Sequence, residues 1–174
     1  PNTSSAASDV YKRQLIGCSA IILAGVSYNH EKYLDFGLEL LKKIITTSFD
    51  TEYFPKSRNI RQLVFYLKYF IILREFLKES STEIPEYLDE IIFHLGKGYN
   101  FVWGSVKQSL LFNGNHNSNL EDFDIYLDYQ KYSFKSEKRD LGGYGILKNK
   151  NVILGMDIGT CLLYTSPSPR DRYG

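Results

Sequence analysis

The sequence predicts a mainly helical chain that ends in a small β element, and three observations carry that prediction. Apolar residues recur at three-and-four spacing through most of residues 31–105, the period of an amphipathic helix. Beyond Tyr132 the period changes, and Tyr144, Ile146, Val152, Leu154 and Met156 alternate around Lys148-Asn149-Lys150-Asn151, the pattern of a β-hairpin. Helices come first and strands last, which suggests a helical unit over 15–130 joined to the start of a β unit over 131–160. A chain of 174 residues supplies about one domain of this kind.

Ile21, Ile22 and Gly25 read as the end of a first helix. Tyr33, Leu34, Gly37, Leu38, Leu41, Ile44 and Ile45 then define a helix near 31–48, with Lys42 and Lys43 on its other side. A polar, proline-containing break follows at 50–59. Ile60, Leu63, Val64, Leu67, Phe70, Ile71 and Leu77 mark a long helix near 60–79. Its centre, residues 63–73, is strongly apolar, yet Lys68 interrupts it and Arg74 ends it. That is well short of the about 20 apolar residues a membrane span needs, so a buried helix is expected. Pro85 suits the first turn of a third helix near 85–105, with Leu88, Ile91, Ile92 and Leu95 facing the core and Trp103 near its end. Residues 113–119 form an amide-rich loop. Asn119 with Asp122 resembles a helix start before Phe123 and Leu127. The strands are expected near 143–147 and 152–157.

The two ends read differently from the middle. Residues 4–14 (SSAASDVYKRQ) and 161–171 (CLLYTSPSPRD) resemble the two partner adaptors of a sequencing library, translated in frame. Segments of that kind are excluded from fold reasoning, so 1–14 and 161–174 are set aside as adaptor sequence. The whole chain has 21 Lys and Arg against 20 Asp and Glu. Setting aside Lys12, Arg13, Arg170 and Arg172 with Asp9 and Asp171 leaves 17 against 18, a formal charge of −1. No electrostatic case for nucleic acid survives that correction. Cys161 falls in the flank, leaving Cys18 alone. One cysteine builds neither a disulfide framework nor a zinc site, and no metal or other cofactor is expected.

Three segments carry a family resemblance. Ser57-Arg58-Asn59 precedes the apolar helix. Leu111-Phe112-Asn113-Gly114 opens the amide-rich loop. Gly142-Gly143-Tyr144-Gly145-Ile146-Leu147 is followed by Leu154-Gly155-Met156-Asp157-Ile158-Gly159. In order and spacing these are similar to heparinase II/III-like proteins: their SRNP-type loop, their FNG segment and their first sandwich strands. Ile60 stands where that loop has proline. The resemblance implies the late part of an (α/α) toroid leading into a β-sandwich, with a glycan cleft where they meet. It implies a polysaccharide lyase that cleaves an acidic, uronic-acid-containing polysaccharide by β-elimination, and a periplasmic or secreted setting.

Such an elimination takes a proton from a carbon beside a carboxylate. It needs groups that neutralise the carboxylate, a base at the carbon and an acid at the leaving oxygen. The resemblance puts most of these groups on an Asn/His-bearing helix upstream and in the β domain downstream. Within the chain, Tyr53 and His116 are the candidate catalytic residues. The alternative for Tyr53 is packing against its loop. Arg58, Asn59, Asn113 and Asn115 are candidate substrate contacts. A planar guanidinium fork matches a carboxylate, though Arg58 serves equally well to tie its loop to a helix end. Amides suit sugar hydroxyls, though Asn is also favoured in turns for backbone reasons. Asn29-His30 reads as a solvated turn, His94 as structural, Trp103 as core and Asp157 as a strand end. The alternatives to a lyase are a non-catalytic glycan-binding module and a helical interaction module such as a solenoid segment.

Overall fold

A computed structural model describes residues 3–104, 107, 110, 112–113, 120–149 and 152–159, with side chains described from Lys12 onward. It is mainly helical, with one antiparallel sheet near the C-terminal end. Helix α1 spans Thr3–Ser27, α2 Glu31–Ser48, α3 Ile60–Glu79 and α4 Glu86–Tyr99. A π-helical turn, Asn100–Gly104, extends α4 as the sequence period suggests, and α5 spans Glu121–Tyr129. The strands are β1 (Asp140–Leu141), β2 (Tyr144–Lys148) and β3 (Ile153–Asp157), paired in that order. Residues 3–14, read as adaptor, continue α1 without a break. Ala6, Ala7, Lys12, Arg13 and Gln14 are strong helix formers, and the Lys12 ammonium lies 5.9 Å from the centre of the Phe65 ring.

The helices pack as antiparallel pairs. Cys18 and Ile22 of α1 meet Gly37 of α2, while Gly25 meets Leu34, so one helix ascends as the other descends. The Cys18 thiol donates to the Gly37 carbonyl oxygen at 3.2 Å, and burial pushes its pKa up to about 12. A thiol in that state is inert. Helix α3 is buried on most of its circumference, because α1 and α4 both lie against it. Leu63, Tyr66, Leu67, Phe70, Ile71, Leu73 and Leu77 fill the core, each worth about 1.5–3 kcal/mol of apolar burial. Among the described residues no helix is long and apolar enough to cross a membrane.

Helix ends follow a shared local rule. Asn59 caps α3, its side-chain oxygen accepting from the backbone of Arg61 at 3.0 Å and of Gln62 at 3.3 Å. At the C-termini of α1, α3 and α5 the backbone turns through a left-handed residue, respectively Asn29, Ser81 and Lys131. Each makes the paired hydrogen bonds that satisfy the last carbonyls, such as His30 to Gly25 at 2.7 Å and Thr82 to Leu77 at 2.9 Å. The Asn29-His30 pair is therefore an exposed turn.

Two sequence expectations need correction. Tyr33 is exposed and stacks on His30 at 4.0 Å, instead of joining the core face of α2. The face reaching α1 starts at Leu34 and Gly37, one turn on. The expected hairpin is present as β2 and β3, and β1 extends it to a three-stranded sheet, because Gly142 and Gly143, both at positive φ, form a two-residue turn joining β1 to β2. Strand β3 is also more exposed than its alternation suggests: Ile153, Leu154 and Met156 lie at the surface of an edge strand.

The α1–α2 contact yields a paired prediction. A Cβ at Gly25 would sit 2.5 Å from the Leu34 backbone nitrogen, whereas a Cβ at Gly17 meets nothing within 4 Å. Gly25→Ala should destabilise the chain by about 1–3 kcal/mol through overpacking. Gly17→Ala should stabilise it by about 0.5–1 kcal/mol through helix propensity. Urea denaturation of both variants measures the difference. Equal effects would mean that α1 and α2 do not approach this closely.

Candidate functional site

The loop between α2 and α3 is built to be rigid. Asp50 accepts from the backbone of Glu52 at 2.9 Å and of Phe54 at 2.8 Å, and Phe49 bridges Pro55 across the loop. Lys56 donates its backbone N–H to Ser48 at 3.0 Å. Within this frame Tyr53 and Arg58 both hold left-handed backbone conformations, as Asn113 does in its own loop. Such conformations cost of order 1–3 kcal/mol in residues other than glycine and persist where the surroundings fix them. All three are residues singled out from the sequence. Ile60 occupies the first helical position of α3, where proline is tolerated best, so its departure from the SRNP pattern leaves the helix start intact.

The segments that carry the family resemblance converge on one polar knot. Arg58 is 9% exposed and grips Asp157 at the end of β3, with Nη1 donating to Oδ1 at 2.6 Å and Nη2 to Oδ2 at 3.3 Å. Asn113 donates from Nδ2 to the Tyr144 hydroxyl at 2.9 Å and to Asp157 Oδ2 at 3.3 Å. The fully buried Tyr144 in turn donates its hydroxyl to the Arg58 carbonyl oxygen, and burial raises its pKa. Asn59 donates to the Asn113 carbonyl oxygen at 3.1 Å.

Two glycines leave room for this arrangement. A Cβ at Gly159 would fall 1.8 Å from Arg58 Nη1, and one at Gly143 would fall 2.7 Å from the same atom. Glu52 completes the docking by accepting from the Gly142 backbone at 3.0 Å and from Lys138 at 3.4 Å. The knot thus fastens the α2–α3 loop to one end of the sheet, where Leu141, Tyr144 and Asp157 are paired. Arg58, Asn59 and Asn113 use their polar groups on one another and on the sheet. Arg58 ties its loop to a strand end where the sequence reading offered a helix end.

Tyr53 lies elsewhere, against α4. Its ring stacks on His94 with centroids 4.3 Å apart and planes 9° from parallel, and its hydroxyl donates to Glu90 Oε1 at 2.6 Å. The hydrogen bond to Glu90 raises the Tyr53 pKa, with desolvation adding to it. Burial lowers that of His94, and Lys97 and Lys138 add to the effect against an opposing pull from Glu90. At neutral pH the phenol is protonated and the imidazole neutral. His94 lines a groove of about 540 Å3 together with Glu52, Lys97, Lys135 and Lys138. Its role as a stacking partner was not legible, because only the folded loop brings residue 53 to residue 94.

The remaining candidates divide simply. His116 and Asn115 lie outside the described residues. Trp103 is core, its Nε1 donating to Asp124 at 3.0 Å. Asp124 also accepts from Tyr99 at 2.7 Å and Lys107 at 2.6 Å. Burial alone would raise the Asp124 pKa, but these donors outweigh it and lower the pKa. Among the described residues no group of three or more His, Cys, Asp or Glu could hold a metal ion.

Two predictions follow from this geometry. A double-mutant cycle of Arg58→Ala with Asp157→Ala should give a coupling of about 1–3 kcal/mol in denaturant unfolding, and a coupling under about 0.5 kcal/mol would dissolve the knot. The second concerns pH. In the folded chain His94 should titrate below 6.5, so the unfolded state binds more protons just under that pH. Its contribution to stability is present above pH 6.5 and is lost as pH falls through the lower folded value. An NMR titration of His94 with a midpoint at or above 6.5 would contradict this. Comparison of the chain with protein-family models, curated proteins and solved structures finds no match, so a functional reading rests on the residues and their geometry.

Proposed function

We propose that the chain is an internal piece of a heparinase II/III-like polysaccharide lyase, flanked at both ends by translated adaptor sequence. Its helical part would belong to the end of an (α/α) toroid and its sheet to the beginning of a β-sandwich. The observation that carries the reading is the convergence of Ser57-Arg58-Asn59, Asn113, the Gly142-Gly143-Tyr144 turn and Asp157-Ile158-Gly159. These segments look unrelated along the sequence, yet together they form the junction between helices and sheet. A shared architecture explains why such short motifs would recur together. The exposed edge and apolar surface of β3 are in keeping with a sheet that continues into further strands.

The chemistry proposed for the parent is β-elimination across a uronic acid. A base removes the proton on the carbon beside the carboxylate, the bond to the neighbouring glycosidic oxygen breaks, and an acid protonates the departing oxygen. A double bond remains in the sugar ring. Tyr53 fits the acid, since its hydrogen bond to Glu90 keeps the phenol protonated. The neutral imidazole of His94 alongside it fits a base or a ring against which the sugar is positioned. The reacting carboxylate still needs close, directed donors, and the resemblance assigns those to the upstream helix. Metal is not required by this scheme.

The experiment is to express the complete reading frame and this chain separately, incubate each with several uronic-acid polysaccharides, and follow ultraviolet absorbance of the unsaturated product. The complete protein should turn over, with Tyr53→Phe lowering kcat by at least about 100-fold. The isolated chain should give no product. A folded complete protein that binds these polymers without cleaving them would favour the non-catalytic module. Robust turnover by the isolated chain, lost in Tyr53→Phe or His116→Ala, would move the catalytic groups inside residues 15–160.

A further inference from the structure

Residues 131–139 follow α5 without regular secondary structure, yet their burial alternates strictly over 131–137. Tyr132, Phe134 and Ser136 turn inward. The Tyr132 hydroxyl donates to Glu75 at 2.7 Å, and the Phe134 ring rests where a Cβ on Gly96 would be, 2.1 Å away. The Ser136 backbone donates to the Asn100 side chain at 3.1 Å. The segment is thereby pinned along α4 and its π-helical turn. Lys131, Ser133, Lys135 and Glu137 turn outward, and Lys138 and Arg139 follow.

Three grooves of about 540–640 Å3 border this segment, and neighbouring grooves share residues. Lys97 and Lys135 belong to two of them, and Lys138 joins the second to the third, which reaches Lys148 beside the sheet. Eight cationic and four acidic side chains line the three together, in a chain whose charges as a whole nearly cancel. Three of the acids are already engaged: Asp89 by Arg74, Glu75 by Arg74 and Lys78, and Glu52 by Lys138. Lys131, Lys135 and Arg139 form no ion pair among the described residues. Beside them the Phe93 ring is 51% exposed, with the Lys97 ammonium 4.2 Å from its centre.

We infer that this track binds an acidic glycan chain, with carboxylates or sulfates on Lys131, Lys135 and Arg139 and a sugar face on Phe93. Cations in a row, as opposed to a convergent cluster, suit a linear polyanion more than a small anion. The guanidinium of Arg139 can grip a carboxylate with two hydrogen bonds. Single-stranded nucleic acid is the poorer fit. Its binders offer successive exposed rings for base stacking, whereas Tyr132 and Phe134 are turned into the protein. The choice of a glycan among polyanions rests on the lyase reading above; the track itself rests on charge and burial.

The test uses the whole chain. Binding to polygalacturonate and to heparin is measured by isothermal titration at low ionic strength, with neutral dextran and a single-stranded RNA homopolymer alongside. The variant Lys131→Gln/Lys135→Gln/Arg139→Gln should weaken polyuronate or heparin binding by about tenfold, the loss of three exposed charge contacts. Lys42→Gln/Lys43→Gln, on α2, removes charge away from the track and should leave binding within about twofold. Circular dichroism melting confirms that each variant is folded. No binding by the parent chain, or unchanged binding in the folded triple variant, overturns the proposal. RNA bound as tightly as the glycans overturns the choice of ligand. A complete protein that binds through the track without cleaving removes the lyase reading alone. A complete protein whose KM is untouched by the triple variant removes the track alone.

Discussion

The Arg58–Asp157 pair joins residues 99 positions apart, and the junction between helices and sheet depends on it. A guanidinium that is nine-tenths buried is costly to desolvate unless its charge is met at close range by an opposite charge. Asp157 meets it with both oxygens, and Asn113 supplies a further donor to the same carboxylate. The pair in turn constrains the backbone around it. Gly143 and Gly159 must lack side chains for the guanidinium to lie between them, and Arg58 must adopt a left-handed backbone to point inward. Tyr144 closes the ring by donating its hydroxyl to the Arg58 carbonyl oxygen. Connected polar groups in a low-dielectric setting reinforce one another when all partners are present, and they penalise any arrangement that lacks one.

The knot also defines what surrounds it. The loop that positions Arg58 is the same loop that delivers Tyr53 to α4, because Asp50 and Pro55 brace both ends. One short segment therefore holds a structural residue on one side and a chemically suited residue on the other. Glu52, in the same loop, accepts from the Gly142 backbone and pairs with Lys138 at the edge of the cationic track. Junction, phenol–imidazole stack and track are coupled through this loop. A change in the loop's conformation would disturb all three.

Much of the fold was legible because its signals are local. Apolar spacing located α2, α3 and the extended α4 to within a residue or two, and Pro85 marks the start of α4. Alternation located β2 and β3. The short strand β1 was missed since two residues carry no period, although Gly142-Gly143 is a two-residue turn signal between pairing strands. The spacing of Tyr33 fits the core face, yet the residue is exposed. Spacing names a helical face without saying where along the helix the neighbour begins to cover it.

The sequence by itself determined which stretches are helix or strand and which residues are chemically capable: Arg58, Asn59, Asn113 and Tyr53. The tertiary structure alone decided what those residues meet. Arg58, Asn59 and Asn113 suit a sugar contact or, equally, a structural tie, and the fold gives them Asp157, Tyr144 and one another. For Tyr53 the sequence offers catalysis or packing against its own loop, and the fold gives it His94 and Glu90 as neighbours. The cationic track is likewise invisible in a chain of nearly balanced charge. Helix and strand periods arise from steric preferences of neighbouring residues, so they are written into short windows. Side-chain pairing and the gathering of charge depend on which windows pack together, a choice made by burial of the whole core.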